Sequence, residues 1–171
     1  MDRPLDHVGQ LAVSTFVVIP CSGDKADVPF APARQLYTGS YFRLALAAAE
    51  RVDGAQVFVL SAAYGLVPID KVIATYDVRM GAPGSITNRP RQFNGPDAIW
   101  FVRAQADGRG MREPDARVIS LLPYAYNEVL RQVVPSTEEP LDGCRGIGDQ
   151  RSRVVRLGAD GLVAEVAEPA A

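Results

Sequence analysis

Three short segments carry side chains that can bind an anion, stack on an aromatic ring or act as a nucleophile. They are Cys21–Lys25 (C-S-G-D-K), Ser61–Leu66 (S-A-A-Y-G-L) and Pro123–Asn127 (P-Y-A-Y-N). Lys25 stands out because the chain has two lysines against sixteen arginines. An ammonium group in such a loop can hold a phosphate or carboxylate as a point charge or, when desolvated, act as a nucleophile. The alternative is an ordinary solvated loop lysine.

The other side chains of the first two segments can complete a binding site. Cys21 could be a nucleophile, but with no histidine nearby we favour a structural role as a small hydrophobic side chain. Ser22 is better suited to donate a hydrogen bond to an anion than to attack as an alcohol. Gly65 directly after Tyr64 indicates a turn with positive φ, which aims the tyrosine ring over the strand ends. There it can stack on a base or donate to a phosphate, the alternative being a half-buried aromatic in a turn.

Further candidates come from the third segment and from two places outside these loops. Tyr124 and Tyr126 are two residues apart on a predicted helix, so at most one of them can face the site. Asp77 is the best-placed carboxylate for positioning water or stabilising a cation, with Asp70 next. The candidate catalytic residues are Lys25, Asp77 and Tyr64, and the candidate substrate-binding residues are Cys21, Ser22, Tyr37, Ser40, Ser61, Gly65, Tyr124, Asn127 and Gln150.

Buried strands and amphipathic helices must position these side chains. Continuous apolar runs rich in β-branched residues predict strands at Phe16–Pro20, Gln56–Ala62 and Arg117–Leu122. Apolar periodicity with start and stop signals predicts helices from Ser40, as the N-cap, to near Gly54, and at Pro96–Ala106, Tyr124–Val134 and Gly148–Leu157. Two segments, Ala63–Ile69 and Thr75–Asn94, are predicted to be loops.

This alternation predicts an α/β fold with an open, mostly parallel, Rossmann-like sheet that has helices on both faces. We expect residues 1–171 to form one domain, with a core at about 13–157 and peripheral segments at 1–12 and 158–171. Ligands of such sheets bind beyond the carboxyl ends of the strands. The three segments should therefore converge at that edge. The first turn of the helix at Ser40 should add free backbone N–H groups that attract anions.

Composition excludes several classes of protein. Eighteen basic and twenty acidic residues give a net charge of −2, which excludes a histone-like or polybasic protein. No apolar run approaches the ~20 residues that span a bilayer, and Asp2 and Asp6 are unlike a secretory signal. We therefore expect a cytoplasmic protein with no membrane partner. Two cysteines and a single histidine, His7, cannot form a multi-ligand metal cage, and we expect no metal or cofactor.

Six sequence blocks occur in an order that identifies a family. Between residues 16 and 157 the chain has C-S-x-x-K, L-Y-x-G-S-x-F-R, V-L-S-A-x-Y-G-L, Y-D, P-L-x-G and G-I-G-x-Q, at Cys21–Lys25, Leu36–Arg43, Val59–Leu66, Tyr76-Asp77, Pro140–Gly143 and Gly146–Gln150. In this order the blocks resemble the bacterial and phage domain-of-unknown-function family 6884, which implies no established activity.

A second resemblance is partial. The opening I-P-C-S-x-x-K is similar to the core domain of archaeosine synthase, a tRNA base-modifying enzyme whose motif continues with K-P-Y. Here Lys25 is followed by Ala26-Asp27, so that chemistry is not carried over. A distant likeness to deoxyribosyltransferases and uracil-DNA glycosylases is analogy at the level of fold.

The first functional hypothesis is an enzyme acting on a nucleotide or a nucleic-acid base. The reaction would most simply be N-glycosidic bond cleavage, or else base transfer or modification. Ser22, Lys25 and the helix start at Ser40 would hold phosphate. Either Tyr64 or Tyr124 would stack on the base. Asp77 would stabilise an oxocarbenium-like centre or position water.

Two alternatives remain open at this point. Residues 88–117 hold six arginines against four acids, and residues 145–156 hold four against one. These arginines could follow a phosphate backbone in a non-catalytic nucleic-acid-binding protein. The chain could also be a sensor that binds a small anionic metabolite without turnover. DNA, RNA or a free nucleotide as substrate, and the oligomeric state, are left open.

Overall fold

The described residues of this computed structural model, 13–88 and 99–160, form six strands and five helices. The strands are β1 (Thr15–Pro20), β2 (Phe30–Pro32), β3 (Gln56–Ser61), β4 (Gly65–Pro68), β5 (Val72–Ala74) and β6 (Arg117–Ser120). The helices are α1 (Ala33–Leu36), α2 (Ser40–Ala49), α3 (Trp100–Asp107), α4 (Tyr124–Val133) and α5 (Ile147–Asp160).

A four-stranded sheet in the order β4-β3-β1-β6 organises these elements. β1 pairs in parallel with both β3 and β6, so that Val17 lies opposite Val57 on one side and Ile119 on the other. β4 runs antiparallel to β3. The prediction of a mixed α/β fold with a mostly parallel sheet is confirmed, and all three predicted strands are present.

The segment Ala63–Ile69, predicted to be a loop, contains β4, so that prediction was wrong. Gly65 has a φ of 73°, a left-handed conformation that glycine adopts at little cost. This turn sends the chain back along β3 at once. Leu66 and Val67 are buried beside that strand as a result.

Alternate residues of β1 belong to two different hydrophobic clusters, because successive side chains of a strand point in opposite directions. Val17 and Ile19 belong to one cluster together with residues of α2 and α5. Phe16 and Val18 belong to the other, together with residues of α3 and α4. Packing on two sides fixes β1 and hence the position of the segment that follows it.

The two-stranded antiparallel ribbon of β2 and β5 was missed in the sequence. Each strand has three residues, too few for a period of two to be recognised, and β2 ends in a proline. The pairing is antiparallel, so that Ala74 at the end of β5 lies opposite Phe30 at the start of β2, and separate chain segments follow the two strands. Those segments contain Tyr37 and Tyr76.

The start of α2 differs from prediction. Gly39 occupies the N-cap position and no side chain caps the helix, so the prediction that Ser40 is the N-cap was wrong. A Cβ atom on Gly39 would overlap the Ser22 hydroxyl, so a side chain at this position would require Ser22 to move. Ser40 instead begins the first turn of the helix.

The remaining boundaries are close to prediction. α5 runs to Asp160, so the first residues of the segment predicted to be peripheral are helical. Within the predicted loop, residues 75–88 contain no helix or strand, whereas residues 89–94 and the predicted helix start at 96–98 lie outside the described residues. Across the described ranges, no helix has the length and apolar character needed to cross a membrane. The single-domain assignment stays a prediction.

Candidate functional site

Lys25 lies against the faces of two tyrosine rings. Its Nζ is 4.3 Å from the centre of the Tyr76 ring and 5.9 Å from the centre of the Tyr37 ring. Within residues 13–88 and 99–160, no carboxylate oxygen lies within 4.0 Å of this nitrogen. Contact with an aromatic face stabilises an ammonium ion but does not neutralise it. The charge of Lys25 can therefore be matched by an anionic ligand.

A chain of hydroxyl groups lies beside the lysine. The Tyr76 hydroxyl is 2.8 Å from the Tyr37 hydroxyl and 2.8 Å from Ser61 Oγ. Ser61 is fully buried, and its Oγ accepts hydrogen bonds from the backbone N–H groups of Ala63 and Tyr64 at 3.2 and 3.1 Å. These bonds connect the end of β3 to both buried phenols.

Burial keeps the two phenols neutral. It raises the pKa of Tyr37 to about 12, partly offset by the hydrogen bonds to Ser61 and Tyr76. Burial also raises the pKa of Tyr76, with a smaller contribution from Cys21. At neutral pH both groups are protonated, so they can donate hydrogen bonds but cannot serve as bases. Lys25, Tyr37, Ser61, Tyr64 and Tyr76 are called the Lys25 cluster below.

Tyr64 joins this cluster through its ring. The Tyr64 ring packs edge-to-face on Tyr76, with 5.4 Å between centres and an angle of 88° between planes. Its hydroxyl donates a 3.3 Å hydrogen bond to the carbonyl of Ala74 at the end of β5. The positive φ of Gly65 is as expected, and the turn places the ring beside the end of β3.

Gln105 of α3 holds this turn from the other side. Its Nε2 donates to the Tyr64 carbonyl at 3.0 Å, and its Oε1 accepts from the backbone N–H of Leu66 at 2.8 Å. A Cβ atom on Gly65 would overlap the Gln105 amide and lie 2.8 Å from the Phe101 ring. Sequence reasoning missed Gln105. The available signal was a polar residue on a helix face that is otherwise apolar.

A cavity of about 260 Å³ adjoins the cluster and is called the Arg151 cavity. Its walls come from the segment after β1, from the starts of α2 and α4, and from α5. The lining residues include Cys21, Ser22, Asp24, Ser40, Tyr41, Tyr126 and Arg151. The Arg151 guanidinium donates a 2.7 Å hydrogen bond to Ser40 Oγ. Arg151 was not among the predicted site residues.

Cys21 lies between the cavity and the Lys25 cluster. Its Sγ is 3.3 Å from the Tyr126 hydroxyl, and both residues line the cavity. Burial raises the pKa of Tyr126, and the nearby thiol adds to the rise, as it does for Tyr76. The first predicted segment therefore borders both features, Cys21 and Ser22 at the cavity and Lys25 at the tyrosines.

Comparison with protein families places the chain in one of them. The model of the Family of unknown function (DUF6884) matches residues 16–154. This chain belongs to the DUF6884 family. The family predicted from the sequence blocks is thereby confirmed, and the matched range includes the Lys25 cluster and Arg151. No curated protein matches the chain.

The third predicted segment of this DUF6884 protein contributes differently from the first two. Tyr126 reaches the Arg151 cavity, whereas Tyr124 is 70% exposed and its ring lies 5.9 Å from the Arg131 guanidinium. Tyr124, Asn127 and Gln150 line a separate cavity of about 60 Å³. Asn127 is tied to the protein there, because it accepts a 2.7 Å hydrogen bond from Ser120 and donates to Glu139.

The two candidate carboxylates also differ in position. Asp77 follows Tyr76 directly in the chain and is exposed to solvent. Asp70 accepts a 2.5 Å hydrogen bond from Arg34 in another part of the surface. Of the two, Asp77 is the one adjacent in sequence to a tyrosine of the Lys25 cluster. Among the described residues, no group of three or more histidine, cysteine or acidic side chains could hold a metal ion.

Proposed function

We propose that this protein is an enzyme acting on a nucleotide or a nucleic-acid base, by N-glycosidic bond cleavage or base transfer. One observation carries the proposal: the ammonium of Lys25 lies over aromatic rings with no carboxylate partner among the described residues. Such a site suits a ligand with a planar ring and a negative charge. A nucleotide has both.

The proposal includes a finer view of the fold. We infer a Rossmann-like arrangement, in which α2 and α5 cover one face of the sheet and α3 and α4 cover the other. Membership of the two hydrophobic clusters supports this inference. Sheets of that kind bind ligands beyond the carboxyl ends of their strands, which is where β1 leads to Lys25 and β3 leads to Tyr64.

The proposed reaction gives each group of the site a role. The Tyr64 ring, 36% exposed, offers an edge or face to the base, and Lys25 stabilises the negative charge that develops on the departing base. Asp77 positions water near the sugar carbon. Water oxygen bonds to that carbon as the C–N bond breaks, the base departs with the bonding electron pair, and a water proton is transferred to the departing base through solvent. Neutral phenols of the cluster can donate hydrogen bonds to the departing base.

Binding of nucleic acid by arginines alone has less support. In the described part of residues 88–117, Arg112 pairs with Asp107 and Arg117 with Glu138. Arg103 donates to the carbonyl of Gln132. Guanidinium groups already held by the protein contribute less to a phosphate-binding surface than free ones.

Release of free base from nucleotides tests the proposal. Nucleoside monophosphates and mixed-sequence DNA and RNA oligonucleotides are incubated with the protein, and products are separated by chromatography. We expect base release by the wild type and a loss of about 100-fold or more in kcat/KM for Lys25→Ala and for Asp77→Ala. Lys71→Ala and Asp53→Ala, which change two exposed residues outside the cluster, should retain activity.

Two results would count against the proposal. One is full activity in both Lys25→Ala and Asp77→Ala, which would remove these residues from the mechanism. The other is binding of a nucleotide without any product, which would favour the sensor alternative.

A further inference from the structure

The Arg151 cavity lies where the order of the parallel strands reverses. β1 has β3 on one side and β6 on the other, so the chain moves first to one side of β1 and later to the other. Residues after β1, Cys21 and Ser22, and residues after β6, Pro123 and Tyr126, line the cavity from its two sides. In open parallel sheets this crevice is the usual place for a ligand.

Arg151 adds an unneutralised positive charge to the wall of this cavity. One of its N–H groups donates to Ser40 Oγ, and a guanidinium has five such donors. Across the described ranges, no carboxylate oxygen lies within 4.0 Å of it. Arg34, Arg117 and Arg131 contrast with it, because each pairs with at least one carboxylate.

The guanidinium also lies close to a second wall of the cavity. Burial raises the pKa of Tyr41, and Arg151 opposes that rise. The Tyr41 hydroxyl is held by a 3.1 Å hydrogen bond to the carbonyl of Leu121, at the end of β6. Arg151 is thus oriented by Ser40 on one side and lies near a fixed phenol on the other.

We propose that the Arg151 cavity binds the phosphate monoester of a mononucleotide, with Arg151 as the main contact. Ser22 and Ser40 can supply hydroxyl groups to the same anion. Asp24 lines the cavity as well and opposes the anion, so the affinity reflects a balance between Arg151 and this carboxylate. A volume of about 260 Å³ suits a sugar phosphate, with the base directed past Cys21 toward the Lys25 cluster. The identity of the base-bearing part rests on the proposed function, whereas phosphate binding does not.

Ligand-induced stabilisation and calorimetric titration test this inference without needing turnover. The probes are inorganic phosphate, the four common nucleoside 5′-monophosphates and the matching nucleosides, at constant ionic strength. We expect the monophosphates to raise Tm more than the nucleosides do. Arg151→Gln should weaken monophosphate binding by about tenfold or more, as expected for loss of a charge-assisted hydrogen bond.

Two further variants test the direction of the charge effect and provide a control. Asp24→Asn should strengthen monophosphate binding, because it removes the opposing charge. Arg156→Gln makes the same change of charge as Arg151→Gln at an exposed position of α5 and should leave the affinity unchanged. Each variant is compared with its own ligand-free Tm, so that a change in stability is not mistaken for a change in binding.

The outcomes separate this inference from the proposed function. Unchanged affinity in Arg151→Gln, an equal loss in Arg156→Gln, or equal binding of nucleosides and monophosphates would overturn the phosphate site. Binding that depends on Arg151 together with no release of base would keep the phosphate site and reject the reaction. Base release that is indifferent to Arg151→Gln would keep the reaction and reject the phosphate site.

Discussion

Two surface cavities of this protein differ in how their positive charges are neutralised. The larger, about 480 Å³, is called the Arg34 groove, and three carboxylates, of Glu50, Asp53 and Asp70, face two guanidinium groups there. Arg34 donates hydrogen bonds to Asp70 and Glu50 at 2.5 and 2.7 Å. The Arg151 cavity is about half that volume, yet its guanidinium contacts only a hydroxyl among the described residues.

The difference separates cavity size from capacity to bind an anion. An arginine already bonded to two carboxylates gains little from a phosphate, because the new contact must replace an existing one. Lys25 and Arg151 have no such competitor among the described residues. Unmatched charge, rather than volume, therefore favours the carboxyl edge of the sheet as the site.

The largest expected effect is at Gly65, in the turn that follows Tyr64, and is compared with that at Gly54, which lines the Arg34 groove. Gly65 and Gly54 have φ values of 73° and 69°, so alanine is strained by a similar amount at both. At Gly65 the new methyl group would also overlap Gln105 and Phe101, whereas nothing lies within 4 Å at Gly54. We expect Gly65→Ala to lower the free energy of unfolding by about 2–4 kcal/mol and Gly54→Ala by about 1–2 kcal/mol.

Urea unfolding monitored by circular dichroism measures both losses. The difference between the two variants isolates the overlap with Gln105 and Phe101, because the backbone strain is shared. Gln105→Ala in the Gly65→Ala background should recover part of the loss by making room for the methyl group. Equal losses at Gly54 and Gly65 would contradict a tightly held turn at the Lys25 cluster.

The next largest expected effect is a loss of folding stability at high pH. The pKa of Tyr37 is about 12 in the folded protein and about 10 in an unfolded chain, so deprotonation of this phenol favours the unfolded chain. Stability from this group is complete below pH 10 and is lost as the pH rises toward 12. The loss should reach roughly 2–3 kcal/mol for a shift of about two units.

Urea unfolding at a series of pH values from 8 upward measures this loss, with tyrosinate absorbance as an independent readout. Tyr37→Phe should flatten the decline above pH 10, and Tyr124→Phe at pH 7 controls for the general effect of removing an exposed phenol. A decline of unchanged steepness in Tyr37→Phe would mean that Tyr37 is not buried as a neutral group.

Local patterns predicted the parts of this fold that are long and strongly apolar. The run FVVIP predicted β1, and the repeated apolar residues after Ser40 predicted α2, because burial on both sides of a strand or on one face of a helix imposes such patterns. β2 and β5 were missed because a three-residue strand is stabilised by its partner rather than by its own sequence. The hairpin at Gly65 was missed although the glycine was recognised as a turn, because the strand after it has only four residues.

The sequence likewise predicted only the part of the candidate site that lies at the ends of the long apolar strands. Lys25 and Tyr64 lie at strand ends, and the rule that ligands bind there selects them from sequence. The hydroxyl contact of Tyr37 with Tyr76 joins residues 39 positions apart in the chain, so no local pattern indicates it. Gln105 and Arg151 come from helices far away along the chain. Arg151 looks in the sequence like any other arginine of its segment, and only its bond to Ser40 distinguishes it.

The smallest expected effect is at Arg34. Both of its ion pairs are exposed, and exposed pairs contribute less than about 1 kcal/mol each, reduced further by salt. We expect Arg34→Gln to change the free energy of unfolding by less than about 1 kcal/mol and to leave monophosphate binding and base release unchanged. Arg151→Gln is the matched variant, expected to be as small in stability but large in binding. If Arg34→Gln abolished binding while Arg151→Gln did not, the ligand would bind in the Arg34 groove and not in the Arg151 cavity. The ion pairs of Arg34 with Asp70 and Glu50 would then have to break when the ligand binds.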